Sequence, residues 1–197
     1  LSLCNKNMVN MIPNNNDGKA KDNLLLEVCM AAYYEGESIK TYYTPHQETY
    51  SDSAAELCTV LARSFADIGD IVRGKDLYRR DNKKDKKDKL QEQLKKYFQQ
   101  IHGGLTKNGA QKHYKDDTGG NYFQLREDWW TANRETVWEA LTCDDRLRGN
   151  EYFRPTCNGE KRTKGYCRCG DGDKPKAGNG DVNIVPTYFD YVPQYLR

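Results

Sequence analysis

Apolar residues are scarce in this chain. Over 197 residues the hydrophobic fraction is 37% and the mean hydropathy −0.99. That is a thin core for the length, so something besides apolar burial must help hold the fold. No stretch approaches the roughly 18–20 apolar residues that cross a bilayer, and Leu1 opens no signal-peptide pattern. Any membrane anchor is therefore expected elsewhere in a parent polypeptide. No Asn is followed by Ser or Thr at the second position, so N-glycan acceptors are absent. The three histidines, His46, His102 and His113, stand isolated. There is no H-E-x-x-H, no G-x-S-x-G and no P-loop. Gly170-Asp171-Gly172 lacks the third glycine of a nucleotide fingerprint. Glu127 and Asp128 are adjacent, but neighbours on a helix point apart, which suits a helix surface better than acid–base work. These absences argue against an enzyme. No cofactor and no nucleic-acid partner is expected.

Cysteine is what the chain does have. Cys4, Cys29, Cys58, Cys143, Cys157, Cys167 and Cys169 are all candidates for structural disulfides, each bond adding about 2–4 kcal/mol. Disulfide use implies an oxidising, secreted or cell-surface setting. Seven is odd, so either one thiol is free or its partner lies outside the chain. The second is preferred, because Leu1 is no start methionine and a helical pattern is unfinished at Gln194-Tyr195-Leu196-Arg197. Cys143, Cys157, Cys167 and Cys169 could form a four-thiolate zinc site. Such sites pair their ligands as C-x₂₋₄-C, and Cys167-Arg168-Cys169 is too tight, so no metal is expected. The two thiols of that C-x-C pair cannot easily bridge to each other. They are expected to take two different partners and staple a loop at two points.

Helical spacing recurs four times. Leu25, Val28, Cys29 and Ala32 predict a helix over 24–34, followed by a mostly irregular stretch to Asp52 that contains Gly36 and Pro45. Ser53-Ala54-Ala55-Glu56 is a capping box. It opens a second helix with Leu57, Val60, Leu61, Phe65, Ile68, Ile71 and Val72 on one face and Gly74 as its stop. Gly69 inside it costs about 1 kcal/mol against Ala unless another helix crosses closely there. Leu90, Leu94, Tyr97, Phe98 and Ile101 predict a third helix, ended by Gly103-Gly104. Leu125, Trp129, Ala132, Val137, Ala140 and Leu141 predict a fourth, over 125–141. This last segment holds all three tryptophans. Trp129 is expected largely buried, with Trp130 and Trp138 at least half covered, packed on Leu61, Phe65 and Ile68 of the second helix. The expected fold is mainly α: a disulfide-stapled helical bundle with long irregular loops and little β.

The net charge of +2 is uninformative, but its distribution is not. Residues 79–89 read RRDNKKDKKDK, seven basic residues against three acidic ones. Arg79, Arg80, Lys83, Lys84, Lys86, Lys87 and Lys89 form a candidate site for a sulfated or phosphorylated polyanion, whose binding would be strongly salt-dependent. The competing reading is a solvated helix start. Lys112, Lys115, Lys161, Arg162, Lys164 and Arg168 would extend the patch if the fold gathers them.

Four segments then carry a resemblance: LARSFADIGDIVRGKDLY (61–78), NYFQLREDWWTANRETVWEALTC (121–143), KGYCRCGDGDKP (164–175) and VPTYFDYVPQYLR (185–197). They resemble the alpha class of Duffy-binding-like domains, found in the erythrocyte membrane proteins of Plasmodium falciparum. LCNKNMVNM (3–11) and LLEVCMAAYYEGESI (25–39) resemble the segments that precede them in that class. The resemblance implies a Duffy-binding-like fold built of subdomains. Residues 1–50 would be the end of the first subdomain, and 51–197 the helical second, truncated before the third. It also implies adhesion: display on the extracellular face of the infected erythrocyte membrane, and cytoadherence or rosetting through a host receptor or a glycan such as heparan sulfate. An adjacent cysteine-rich interdomain region of the same parent chain would be a partner, with this domain alternatively a structural spacer that positions it.

Overall fold

In a computed structural model, the described residues are 6–9, 19–47, 54–77, 84–105, 109–114, 119–157, 162–163, 165–169 and 184–197. Among the described residues five α-helices carry the fold: α1 Lys6–Val9, α2 Ala20–Gln47, α3 Ala54–Arg73, α4 Lys84–Gly104 and α5 Phe123–Leu141. Single 3₁₀ turns follow at Ala110–Lys112, Asp145–Leu147, Phe189–Tyr191 and Gln194–Leu196. No strand occurs among the described residues. The fold is mainly α.

The core forms where α3 and α5 cross in opposite directions. The Phe65 ring lies 5.1 Å from those of both Trp130 and Trp138, while near the other end of α3 the Arg126 Nη1 donates to the Val72 carbonyl at 3.4 Å. Trp130 and Trp138 are 0% exposed and Trp129 is 7% exposed. All three are buried as expected, Trp130 and Trp138 more completely than the half that their spacing required. The reason is the period: Arg126, Trp130, Arg134 and Trp138 recur every four residues and share one face of α5. That face, rather than the stripe through Ala132, is the one that meets α3. Ala132 is exposed. At about 25 cal/mol per Å² and roughly 150–250 Å² per indole, each buried tryptophan contributes about 4–6 kcal/mol of transfer free energy. A Cβ built at Gly69 would lie 2.8 Å from the Trp130 ring, so the glycine is the point of closest crossing. α3 ends at Gly74, whose φ of 76° is left-handed. Gly74 N–H donates to the Ile71 carbonyl at 3.1 Å and Lys75 N–H to that of Asp70 at 2.8 Å, the Schellman arrangement.

α2 corrects the sequence reading. The expected helix over 24–34 continues to Gln47, through Gly36. The burial pattern continues with it, since Glu35, Ile39 and Lys40 are buried beyond Ala31 and Ala32. Gly36 does not break the helix because it is a contact point: a Cβ there would sit 2.2 Å from the Leu141 carbonyl oxygen. Pro45 falls in the last turn, where a missing N–H removes one bond from the helix end. α2 runs in the same direction as α5, and α4 completes the layer with Phe98 edge-on to Trp129 at 6.1 Å. α1 is tied to α2 by Asn7, whose Nδ2 donates to the Glu27 carbonyl at 2.8 Å. Leu90, Leu94, Tyr97, Phe98 and Ile101 are all buried, as the spacing of α4 requires. The capping box at Ser53–Glu56 lies outside the described side chains.

Among the described residues two disulfides form, Cys58–Cys167 and Cys157–Cys169. The C-x-C thiols take different partners, and three of the four thiols considered for zinc are consumed. Tyr166 and Cys167 both have positive φ, 54° and 53°, which presents the two sulfurs in different directions. Tyr166 N–H holds this turn by donating to the Leu147 carbonyl, as Cys167 N–H does to that of Asn150, both at 3.1 Å. Cys29 and Cys143, the other described candidates, are corrected: among the described residues both are free thiols. Cys29 faces α5, its Sγ 4.0 Å from the Thr136 carbonyl oxygen, and Cys143 is exposed past the end of α5. Cys4 lies outside the described residues.

The two bonds close loops of very different size, with sequence separations of 109 and 12. Loop-closure entropy gives about 4.8 kcal/mol for the longer and about 2.8 for the shorter. Replacing both Cys58 and Cys167 by Ala is therefore expected to lower the urea midpoint more than replacing Cys157 and Cys169. Equal losses would contradict this ranking.

Candidate interaction surface

The side chains that position the surface are buried charges. On α5, Arg134 directs Nε and Nη2 to the two carboxylate oxygens of Asp190, at 2.8 and 2.9 Å. The Trp130 indole N–H donates to the same carboxylate at 2.9 Å. Arg134 also donates to the Thr187 carbonyl at 2.9 Å, and Arg73 of α3 donates to the Asp190 carbonyl. Further along, Arg73 pairs with Asp70 at 3.0 Å and with Glu127 at 3.5 Å. Arg197 pairs with Asp70 and lies 3.5 Å from Asp67. Burial pushes both Asp67 and Asp70 above the ordinary carboxylate pKa, and Arg197 pulls them back. Asp128 turns away from Glu127 and accepts from the Tyr114 hydroxyl at 2.8 Å. The adjacent acids are thus held by different partners on different sides of α5.

A second latch joins α2 to the turn after α5. Lys40 is buried and faces Asp144 at 3.4 Å and Glu37 at 3.8 Å. Arg146 reaches both Asp144, at 2.6 Å, and Glu37, at 2.8 Å. Burial draws the Lys40 ammonium below its ordinary pKa while Asp144 and Glu37 oppose the shift. The Arg146 guanidinium holds the Asp144 carboxyl well below the usual range.

The basic run sits at the start of α4, which begins at Lys84. Arg79, Arg80 and Lys83 lie outside the described residues, as do the side chains of Lys84, Lys86 and Lys87. Lys89 is exposed, and so is Lys96 two turns on. The amino end of a helix carries about half a positive charge, so lysines placed there add to a field of their own sign. Of the residues that might extend the patch, Lys112 and Arg162 are exposed. Arg168 instead turns inward, donating to Thr142 Oγ1 at 2.7 Å and to the Glu139 carbonyl at 2.8 Å. Lys115, Lys161 and Lys164 lie outside the described residues.

Sequence reading missed the exposed apolar face of α2. Leu26, 60% exposed, is followed by exposed Met30, Tyr33 and Tyr34, which share one side at helical spacing. It also missed the inward arginines, although the four-residue period of Arg126, Trp130, Arg134 and Trp138 was there to find. The two free thiols differ. Burial, with Glu139 adding to it, pushes Cys29 up to about 11, whereas Cys143 is open to solvent. Iodoacetamide at pH 8 is expected to alkylate Cys143 much faster than Cys29, because the thiolate is the nucleophile. Equal labelling rates, read by peptide mass spectrometry, would contradict the burial of Cys29.

The family model described as the Duffy binding domain matches residues 1–197. The chain belongs to the Duffy binding domain family. Among solved Duffy-binding-like structures, it is 38% identical to the NTS-DBL1α domain of P. falciparum membrane protein 1 from the varO strain, with TM-score 0.71. The match covers 98% of this chain and 39% of that one. It is 37% identical to the varO double domain of NTS-DBL1α and CIDRγ, with TM-score 0.72, covering 98% of this chain and 25% of that one. A DBLβ domain of the same protein family, solved bound to ICAM-1, is 30% identical, with TM-score 0.68 and coverage of 98% and 40%. The chain thus spans about two fifths or less of these Duffy-binding-like relatives. Among curated proteins, none matches.

Proposed function

We propose that this chain is part of a non-catalytic adhesion domain displayed on the surface of the infected erythrocyte, which contacts a host receptor or a sulfated glycan such as heparan sulfate. The observation that carries the glycan reading is the start of α4. Seven basic residues against three acidic ones precede and enter a helix whose amino end adds positive potential, and Lys89 stands exposed there. Lysines at a helix start weaken the helix, so the run is not explained by helix stability. Binding by such a run proceeds by counterion release.

The test is retention on heparin across a salt series. The chain is expected to bind at low salt and to elute at clearly lower salt after Lys83, Lys84, Lys86 and Lys87 are converted to Glu, with unchanged circular dichroism. Elution at low salt that those four changes do not alter would overturn the glycan reading. A second reading is a spacer that positions a neighbouring cysteine-rich region. It is favoured by the exposed apolar face of α2 at Leu26, Met30, Tyr33 and Tyr34, and by a relative that was solved as a double domain. We propose further that residues 1–50 and 51–197 correspond to two family subdomains, which share one core.

A further inference from the structure

We propose that residues 184–197 form a strap latched onto the α3/α5 face by buried polar groups, and that the strap opens as one unit while the helices stay folded. Its apolar anchoring is confined to its first half. Val185 and Pro186 are buried and Ile184 and Phe189 pack partly buried against the core, but Tyr188, Tyr191, Tyr195 and Leu196 are all exposed. What attaches it is polar and buried. Asp190 takes the Arg134 fork and the Trp130 indole N–H. The Thr187 hydroxyl accepts from the Tyr152 hydroxyl at 3.1 Å, and Arg197 reaches Asp70. Gln194 bridges Leu77 N–H, at 2.8 Å, and Asp76, at 3.1 Å.

Desolvation of a buried ion pair offsets most of its Coulombic attraction. Such a latch fixes geometry strictly but adds little net free energy of closure, whereas α3 and α5 are joined by large apolar surfaces. The strap therefore belongs to the low end of the opening free energies in this molecule. Its opening uncovers Arg134 and Arg73, whose guanidinium carbons lie 5.6 Å from the Phe65 ring centre and 5.8 Å from that of Trp130. Arg73 keeps Asp70 and Glu127 while Arg134 loses Asp190 and Asp70 loses Arg197, so a buried, neutralised node becomes an exposed aromatic surface of mixed charge. This inference does not depend on the adhesion reading.

The two buried indoles provide an internal control. Trp130 N–H donates to Asp190 on the strap, at 2.9 Å, and Trp138 N–H donates to the Cys167 carbonyl, off the strap, at 3.1 Å. Both rings are 0% exposed. Hydrogen exchange of the whole chain, followed by NMR, is expected to give the Trp130 indole and the amides of 187–197 one shared opening constant. That constant is expected to be about 100-fold larger than the one for the Trp138 indole and the α3 amides, since local opening lies well below global unfolding. Tyr152→Phe removes one neutral hydrogen bond to the strap and is expected to speed Trp130 exchange about three- to tenfold, leaving Trp138 unchanged. The proposal is overturned if the two indoles exchange alike. It is equally overturned if the strap amides exchange without the Trp130 indole, or if Tyr152→Phe accelerates both indoles together.

Discussion

Replacing Arg134 with methionine is expected to destabilise the closed strap by about 3–5 kcal/mol, the range for removing one partner of a buried ion pair. Methionine keeps much of the volume and the stem, so the loss is electrostatic. Asp190 is 1% exposed and would keep the Trp130 N–H while losing both arms of the guanidinium fork. The Thr187 carbonyl would lose its donor as well. Lysine is no substitute, because one ammonium cannot match two carboxylate oxygens in a plane. The partner change sharpens the test. Asp190→Asn made in the Arg134→Met background is expected to restore part of the loss, since a neutral amide can still accept from Trp130, and a double-mutant cycle reads the coupling. Trp130 indole exchange barely changed by Arg134→Met would mean that the carboxylate is solvated rather than buried.

Gly36→Ala is expected to cost about 3 kcal/mol or more, at the upper end of overpacking. The sign is the informative part. In an exposed helix interior the same change stabilises by about 1 kcal/mol, because alanine loses less backbone entropy. At Gly36 the new methyl would meet the Leu141 carbonyl oxygen at 2.2 Å, and that atom belongs to the backbone of the helix pressed against it. α2 and α5 would have to separate. Gly103, near the end of α4, has nothing within 4 Å of its Cβ position. Gly103→Ala is therefore expected to be neutral or stabilising, by up to about 1 kcal/mol. Thermal melts of the two variants should move in opposite directions. A shared direction would contradict the close approach of α2 and α5.

Helices whose buried positions are filled by apolar residues at regular spacing were legible in the sequence. α3 and α4 announce themselves because Leu57, Leu61, Phe65, Ile68 and Val72, or Leu90, Leu94, Phe98 and Ile101, recur at helical spacing and are all buried. The C-x-C geometry was legible as well, since two thiols one residue apart must look elsewhere. α2 was cut short because glycine and proline are ordinarily read as breaks, and only the position of Leu141 shows why Gly36 is there. α5 was found, and Leu125, Trp129, Val137 and Leu141 of its stripe are buried, but the arginines on its inward side were missed. Arginine counts as a surface residue in any periodicity argument, so Arg126 and Arg134 were passed over although both are buried. The basic run marked a candidate surface without showing what gathers around it.

The tryptophan segment divides what each level decides. Composition, spacing and cysteine count determined a mainly helical, disulfide-stapled domain with a thin core, because those depend on local periodicity and on the limited chemistry of thiols. Tertiary structure alone decided that Asp190, sixty residues after Trp130, completes the charge of the α5 face. It also decided which four of the cysteines are joined by the two bonds seen, and that Cys29 and Cys143 are not. Those outcomes rest on which groups meet after the chain has folded back on itself. A buried arginine is tolerable only where a distant carboxylate arrives to neutralise it, and no local pattern records that arrival.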